Sequence, residues 1–502
     1  MRLTLFEIIQ VLGCEPNHVL PDGVTPATDM DALEFKPWAM LHPYGAQTDS
    51  RLVEPADLFF CLKGENVDGH DFAGNAARAG ACAVIAERPP FVDAQAAAVA
   101  GFTIPVFLVP DAATALARLA LCHRETSPAR VVGITGSAGK TSVKEVLAHI
   151  LAVRGTTAKN TLNLNNRIGL PLSMLNAPTE ASFWVLEAGI SEPGDMDELG
   201  AMLRPDYGLV LNAGAAHVLG LGDKGTAHYK AKLLTYIQPG GKAFVCADYP
   251  DLVREVHLLA PLLSERDIEL NFFSAAGAGG AMCKARYLGP FSSTQGHFMV
   301  EVDERECPIC APFRGSYGAE NVAACFAVAH RAGLDFVEIA QGFATAELPR
   351  QRFAQVRRGE CLIIDDTYNA NPLSARRMIE AAADLAAEED KPLVLVMGEM
   401  LELGDMAEEA HERLGQQMAE AGPQTVFWKG GMVDAVRRGL RLGGYNGVFY
   451  PVAGGQEFFA LVEESPFERG VVLFKGSRSN KLERLVEVLC NTLPDAGGND
   501  VL

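Results

Sequence analysis

Apolar residues along this chain fall into two alternating rhythms. Short apolar runs bounded by glycine or polar residues read as buried strands, and segments with apolar residues three and four apart read as helices. Val131 to Ile134 is such a strand, and Ser142 to Leu151 carries Val143, Val146, Leu147 and Ile150 on one helical face. Ahead of them, the start MRLTLFEIIQVLG predicts an amphipathic helix, followed by a helix near Phe72 to Ala81, a strand at Ala83 to Ala86 and a helix over Ala112 to Arg124. Ser127-Pro128 then marks a boundary. Beyond it, strands at Ser182 to Leu186, Tyr207 to Leu211 and Lys242 to Cys246 alternate with helical patterns, which predicts a parallel sheet covered by helices. Ala275 to Glu304 is glycine-rich and then alternating, as antiparallel strands are, and Asn321 to Ala332 resumes a helix.

A second series begins near residue 350. Its strands are Cys361 to Asp365, Leu393 to Gly398, Thr425 to Lys429 and Val471 to Lys475, spaced by helices such as Ser374 to Ala387 and Ala407 to Ala421. That is the rhythm of a Rossmann-like domain, but no glycine fingerprint follows its first strand, so no dinucleotide is expected there. The pattern predicts an α/β chain of three domains. A smaller mixed α/β domain covers 1–127, a central parallel-sheet domain 128–347, and a C-terminal Rossmann-like domain 348–502. A length of 502 residues agrees, being too long for one ordinary core.

Composition narrows the class. With 48% hydrophobic and 21% charged residues the chain is globular, and a formal net charge of −20 argues against a general nucleic-acid or anionic-membrane binder. The N-terminal stretch carries Glu7 and lacks a small-residue cleavage site, and Ala96 to Val109 is too short and too broken to span a bilayer, so a cytoplasmic location without a transmembrane segment is expected. Eleven scattered cysteines suit free thiols; Cys307-Pro308-Ile309-Cys310 has metal-site spacing but no second Cys or His pair at a plausible distance.

The densest chemistry lies at Thr135-Gly136-Ser137-Ala138-Gly139-Lys140-Thr141. A glycine-rich turn between strand and helix aims backbone N–H groups at an anion, the lysine reaches the outer phosphates and the threonine hydroxyl suits Mg²⁺. The commoner phosphate loop has glycine where this chain has Ile134, so the short form T-G-S-x-G-K-T fits one subset of NTP-using enzymes. Glu187 ends an apolar strand at the sheet edge where ligands bind, and reads as a metal-facing carboxylate or as a solvated strand end. His217 lies past the strand Tyr207 to Leu211 on the same edge, as open to a packing role as to a functional one. Asp365-Asp366-Thr367-Tyr368-Asn369-Ala370-Asn371-Pro372 reads as a ligand loop or as a helix cap with Asx turns. Lys475-Gly476-Ser477-Arg478-Ser479 closes the last strand as an anion or carboxylate seat. Asp49-Ser50-Arg51 and Leu62-Lys63-Gly64-Glu65-Asn66 are ordinary turn residues when taken alone.

Taken together, DSR, LKGENVDGHDF, TGSAGKTSVKE, NLNNRIGLP, LEAG, His217, DDTYNANP, MGEMLELG and KGSRS, in this order over nearly the whole chain, resemble the Mur ligase family of ATP-dependent amide-forming enzymes in bacterial cell-wall assembly. D-x-Y-N-A-N-P followed by G-x-M-x-E-L-G is similar to the branch that adds D-alanyl-D-alanine, and the D-N-P-R motif of the diamino-acid-adding branch is absent. The resemblance implies three domains: one for the UDP end of a UDP-N-acetylmuramoyl-tripeptide, a central ATPase domain with the phosphate loop, and a Rossmann-like domain that brings D-alanyl-D-alanine. It implies that Asp49, Ser50, Arg51, Lys63 and Asn165 contact the UDP-muramoyl substrate, and that Tyr368, Asn369, Lys475, Ser477 and Arg478 lie near the dipeptide or its reacting end. Thr135 to Thr141 would hold the ATP phosphates, with Asn321 at adenine and Arg352 and Asp366 on the rest of ATP. Thr141 and Glu187 would bind one Mg²⁺, and His217 a second, shared with a carbamylated lysine at Lys232 or Lys230. Lys140, Glu187, His217 and Lys232 are the implied catalytic set, in a monomer with transient contacts to other wall-synthesis proteins.

The chain departs from the family in places. Where G-x-H-N-x-x-N is usual it reads Gly315-Ser316-Tyr317-Gly318-Ala319-Glu320-Asn321, and Arg167 and Ser191 replace a usual acid and asparagine. A related ligase with another amine or acceptor, and a nucleotide-binding scaffold without catalysis, are the alternative readings.

Overall fold

A computed structural model describes residues 1–161, 163–214, 224–292, 294–464 and 469–494. The chain is α/β throughout, and its contacts group into two compact, discontinuous units. The first comprises Met1–Gly133, Arg154–Gly189 and Gly194–Asp206, the second Ile134–Val153, Ile190–Pro193 and Tyr207–Leu502.

In the first unit the apolar N-terminus forms the helix Leu5–Leu12, opened by a reciprocal Thr4–Glu7 capping box and burying Leu5, Ile8, Ile9 and Leu12. Five strands follow: β1 (Val19–Leu20), β2 (Ala46–Gln47), β3 (Leu58–Phe60), β4 (Ala83–Ala86) and β5 (Val106–Leu108). They form a sheet in the order β1-β5-β4-β3-β2, parallel except for β1. The helix Ala112–Thr126, capped by Asp111, leads into β6 (Arg130–Thr135), whose first residues belong to this unit. Arg124, on that helix, donates to Asp206 Oδ2 at 2.8 Å, and the same oxygen accepts the Val131 N–H at 2.7 Å. One buried guanidinium thereby anchors the carboxylate that holds the start of β6. β7 (Thr157–Lys159) and β8 (Phe183–Glu187) pair in parallel.

The second unit begins within β6, at Ile134, and runs through the phosphate loop into the helix Lys140–Leu151. This helix starts ahead of the expected Ser142, because Gly139 adopts φ +85° and turns the chain directly into the first helical residue. β9 (Tyr207–Val210), β10 (Lys242–Cys246), β11 (Glu269–Ser274) and β12 (Cys283–Pro290) pair in parallel, and β13 (Gly296–Val302) and β14 (Arg305–Ala311) continue the sheet antiparallel. The alternating pattern before Glu304 is thus the β12–β13 pair. Cys307 and Cys310 are three apart on β14, so their side chains leave opposite faces and do not converge on an ion.

The helix Gly315–Arg331 starts earlier than Asn321, the first helical residue expected, and Val322 to Ala329 are all buried. A segment apolar on every side has no amphipathic face from which to read its start, and tertiary burial decides its length. The last six strands are β15 (Ala354–Arg358), β16 (Glu360–Asp366), β17 (Leu393–Gly398), β18 (Thr425–Lys429), β19 (Val448–Pro451) and β20 (Arg469–Lys475). Their order is β15-β16-β20-β17-β18-β19, with β15 alone antiparallel. Helices including Pro372–Glu388 and Ala407–Glu420 pack on Leu362, Ile364, Leu395 and Leu473 on one face, while Phe458, Leu485 and Leu489 cover Ile363, Val472 and Phe474 on the other.

Candidate functional site

The second unit holds the phosphate loop in a dense polar frame. Ser137 N–H donates to the Asn212 carbonyl at 3.2 Å. Ala138 N–H donates to Asn212 Oδ1 at 2.8 Å, and Asn212 Nδ2 returns a bond to the Ala138 carbonyl at 3.1 Å. Ser137 Oγ donates to the Gly214 carbonyl at 3.1 Å and accepts the Gly214 N–H at 2.9 Å. Lys140 folds back to the Gly136 carbonyl at 2.8 Å, at the N-terminus of its own helix. A Cβ at Gly139 would stand 2.9 Å from Asn321 Oδ1, so glycine is required there for space as well as for φ. Asn321 itself is buried, and its Oδ1 has no hydrogen-bond partner.

Residues from the end of the chain reach the same loop. Asn371 Nδ2 donates to the Ser137 carbonyl at 2.9 Å, and its Oδ1 caps the helix Pro372–Glu388 by accepting the Ser374 N–H at 2.9 Å. The cap reading of DDTYNANP therefore holds, and the same residue also braces the phosphate loop. Arg352 Nη2 donates to Thr141 Oγ1 at 3.2 Å, and its guanidinium lies 4.1 Å from the centre of the Tyr368 ring. Asp366 and Lys475 stand opposite each other in the β16–β20 register, and their side chains form a buried pair at 2.5 Å. Lys475 Nζ also donates to the Asn369 carbonyl at 3.0 Å, and Asp366 Oδ1 accepts the Phe353 N–H at 3.0 Å. Burial lowers the Lys475 ammonium from its ordinary value, against the pull of Asp366. Lys475 is thus an internal strut of the turn. Ser477 Oγ accepts the Leu401 N–H at 3.0 Å, joining KGSRS to MGEMLELG, and Arg478 donates to Gln351 Oε1 at 3.0 Å.

Of the two lysines near Tyr229, Lys230 is the more deeply buried; burial, and then the Lys140 charge, push its ammonium down to about 7. Lys232 is half-buried, 5.9 Å from the Tyr229 ring centre. His217 lies outside the described residues.

Within the first unit, Glu187 ends β8 almost fully buried. Its Oε1 accepts from Asn165 Nδ2 at 2.7 Å, its N–H donates to Asn160 Oδ1 at 3.0 Å, and Asn160 Nδ2 donates to its carbonyl at 3.1 Å. Burial rules out the solvated strand end. Asp49 and Arg51 face each other on the surface, Nη2 to Oδ2 at 2.6 Å, and the guanidinium holds the Asp49 carboxyl down to about 2. In the loop after Lys63, His70 Nδ1 lies 2.6 Å from Asp68 Oδ1 while Nε2 accepts the Glu87 N–H, so the ring is a fixed brace.

Three family models match in chain order: the Mur ligase family catalytic domain over residues 42–124, the Mur ligase middle domain over 134–329 and the Mur ligase glutamate ligase domain over 351–478. The UDP-N-acetylmuramoyl-tripeptide–D-alanyl-D-alanine ligase of Escherichia coli K12 is 31% identical over 454 residues, spanning 88% of this chain and 92% of that protein. The chain belongs to the Mur ligase family. Its three-domain α/β fold is shared with MurF from Acinetobacter baumannii, at a TM-score of 0.79 and 26% identity over 97% of this chain and 99% of that one. MurF from Thermotoga maritima, solved in complex with ADP, matches at a TM-score of 0.73 and 27% identity over 89% of this chain and 97% of that one. This Mur ligase chain also uses residues that sequence reasoning did not single out. Asn160 holds Glu187, and Asn212, Glu320, Tyr249 and Arg377 frame the phosphate loop beside Asn371. Only Asn371, inside DDTYNANP, carried a local signal.

Proposed function

We propose that this Mur ligase uses ATP to join the terminal carboxylate of UDP-N-acetylmuramoyl-tripeptide to the amino group of D-alanyl-D-alanine, giving the UDP-linked pentapeptide, ADP and phosphate for peptidoglycan synthesis. The observation that carries it is the meeting of Arg352 and Asn371 with Thr141 and Ser137. Residues of the segment that resembles the amine-bringing domain there touch the seat of ATP.

A carboxylate is a poor electrophile, and transfer of the γ-phosphoryl group makes it an acyl phosphate. Lys140 releases its intraloop bond to Gly136 and neutralises charge on the phosphates, while the first turn of its helix directs N–H groups at them. The dipeptide amine then attacks the carbonyl; the C–N bond forms, phosphate departs with the C–O bond pair, and the proton lost by the amine passes to that phosphate. Arg352 orients the Thr141 hydroxyl, and its stacking on Tyr368 keeps the guanidinium in place. Asn321, with Asp366, is assigned to the nucleoside.

For Mg²⁺ the fit rests on donor chemistry: the Thr141 hydroxyl and the buried, asparagine-held Glu187 carboxylate are hard oxygen ligands. Together with His217 and a carbamylated Lys232 or Lys230 they would hold two ions, which would supply charge neutralisation on the phosphates. Asp49, Ser50, Arg51 and Lys63 are assigned to the UDP-muramoyl end, and Tyr368, Asn369, Ser477 and Arg478 to the dipeptide. The domain spans assigned are 1–127, 128–347 and 348–502. No helix of the described residues is long and apolar enough to cross a membrane. The reaction is assigned to a cytoplasmic monomer.

Mass spectrometry of a reaction containing UDP-N-acetylmuramoyl-tripeptide, ATP and D-alanyl-D-alanine tests the reading. It predicts pentapeptide formed in step with ADP, and neither product from Lys140→Ala. Product with a free amino acid in place of the dipeptide, and none with the dipeptide, would overturn the choice of amine.

A further inference from the structure

The frame of the phosphate loop continues through buried charge to a helix far away in sequence. Asn212 is fully buried after β9, and its side-chain amide satisfies both backbone groups of Ala138. Its Nδ2 makes one more bond, to Glu320 Oε1 at 2.7 Å. That third bond fixes which way the amide faces, since a flipped Asn212 would set its oxygen against a carboxylate. Glu320 in turn has its own orientation fixed. Its Oε2 accepts from Tyr249 Oη at 2.7 Å and from Arg377 Nη2 at 2.5 Å, in a cluster where Glu320 is 4% exposed. Burial and the Glu320 charge push the Tyr249 phenol above its ordinary range, so it stays a donor.

Arg377 stands on the helix Pro372–Glu388, whose cap Asn371 donates to the Ser137 carbonyl. Two successive loop residues are therefore held from one helix. Ser137 is held directly by the cap, and Ala138 through Asn212, Glu320 and Arg377. Neither Glu320 nor Arg377 has any local signature of function. Glu320 lies in the stretch where this chain departs from the family pattern, beside the Asn321 assigned to adenine.

We propose that Glu320 and Arg377 are positioning residues that tie the posture of the phosphate loop to the seat of the helix Pro372–Glu388, so that phosphoryl transfer reaches full rate only with that helix in place. The proposal rests on the ligase reading above for the identity of the reaction. Neither residue touches substrate; each acts through Asn212. Neutralising one partner alone leaves a buried unpaired charge, which destabilises any fold, so the informative variant removes both charges.

The test compares the full-length protein with E320Q, R377K and the double variant E320Q/R377M. Melting temperature, kcat, KM for ATP and backbone hydrogen exchange of the peptide covering 134–142 are measured for each. The double variant is expected to melt close to the wild type and to keep its KM for ATP within about threefold. Its kcat is expected to fall by about 10- to 100-fold, with faster exchange in the loop, as a misplacement far from the chemistry does. R377K, which keeps a charge for Glu320, is expected to recover part of kcat, and E320Q alone to show the same loop exchange in milder form. A double variant with wild-type kcat and unchanged loop protection would overturn the proposal, as would a kcat loss that only tracks melting temperature across the series. Absence of pentapeptide in the wild-type reaction would count against the ligase reading, whereas loop exchange reports on the coupling whichever amine is used.

Discussion

Arg352 donates a hydrogen bond to the hydroxyl of Thr141 at 3.2 Å, although 211 positions separate them in the chain. Thr141 is the loop residue assigned to Mg²⁺, and Arg352 precedes the first strand of the C-terminal sheet. The bond constrains the hydroxyl direction, and the ring of Tyr368 under the guanidinium limits the rotamers open to Arg352.

Arg352→Ala is therefore expected to raise KM for ATP about tenfold and to lower kcat as well, since the hydroxyl orientation is lost together with a cation beside the loop proposed to hold the phosphates. Arg352→Lys keeps the charge without the planar fork and should recover affinity more than rate. Steady-state kinetics at fixed tripeptide and dipeptide concentrations separates the two.

Asn371 allows its two roles to be split by one atom. Asn371→Asp keeps an acceptor for the Ser374 N–H but loses the donor to Ser137. Its melting temperature should stay near the wild type while kcat falls about 10-fold or more. Asn371→Ala should lose the cap as well, at a cost of about 1 kcal/mol in denaturant unfolding of that helix.

Glu187→Gln preserves shape and an oxygen acceptor for Asn165 but removes the charge. The Mg²⁺ concentration giving half-maximal ADP formation should rise by about tenfold or more, and Asn165→Ala, which frees the carboxylate to rotate, should shift it in the same direction by less. A metal titration of the three proteins gives the ordering.

His123 is buried against Trp184, ring centres 5.4 Å apart. Burial, with the N-terminal ammonium adding to it, lowers its pKa to about 4 from 6.5. Between those values the unfolded chain binds the proton that the folded chain refuses, so the contribution of His123 to stability falls as the pH drops from about 6.5 to 4 and is constant above that window. His123→Phe should flatten this part of the stability profile, measured by denaturant unfolding at each pH.

Much of the architecture was legible because it is written in local patterns. The run Val131 to Ile134 followed by T-G-S-A-G-K-T announces strand, loop and helix within a few residues, and the strands at Leu393, Thr425 and Val471 are apolar enough to admit one reading. Glu187 could be placed at a strand end for the same reason. The early start of the helix Gly315–Arg331 could not be read, since Gly315-Ser316-Tyr317-Gly318 has poor intrinsic helix propensity and is helical because of what packs on it. Lys475 reads as an open anion seat in KGSRS, yet the β16–β20 register brings Asp366 against it.

Spacing and side-chain type alone point to nucleotide phosphates at the loop, to an α/β chain in three parts and to the family its motifs resemble, because a phosphate loop and a strand–helix alternation depend on neighbours in sequence. Which polar residues hold that loop is a different kind of fact. Asn212, Glu320, Arg377 and Asn371 are ordinary residues in ordinary positions until folding brings strand ends and helix starts together. Hydrogen bonds and buried charge pairs need approach to about 3 Å, and no local pattern specifies a partner that lies far away along the chain. Only the packed tertiary structure does.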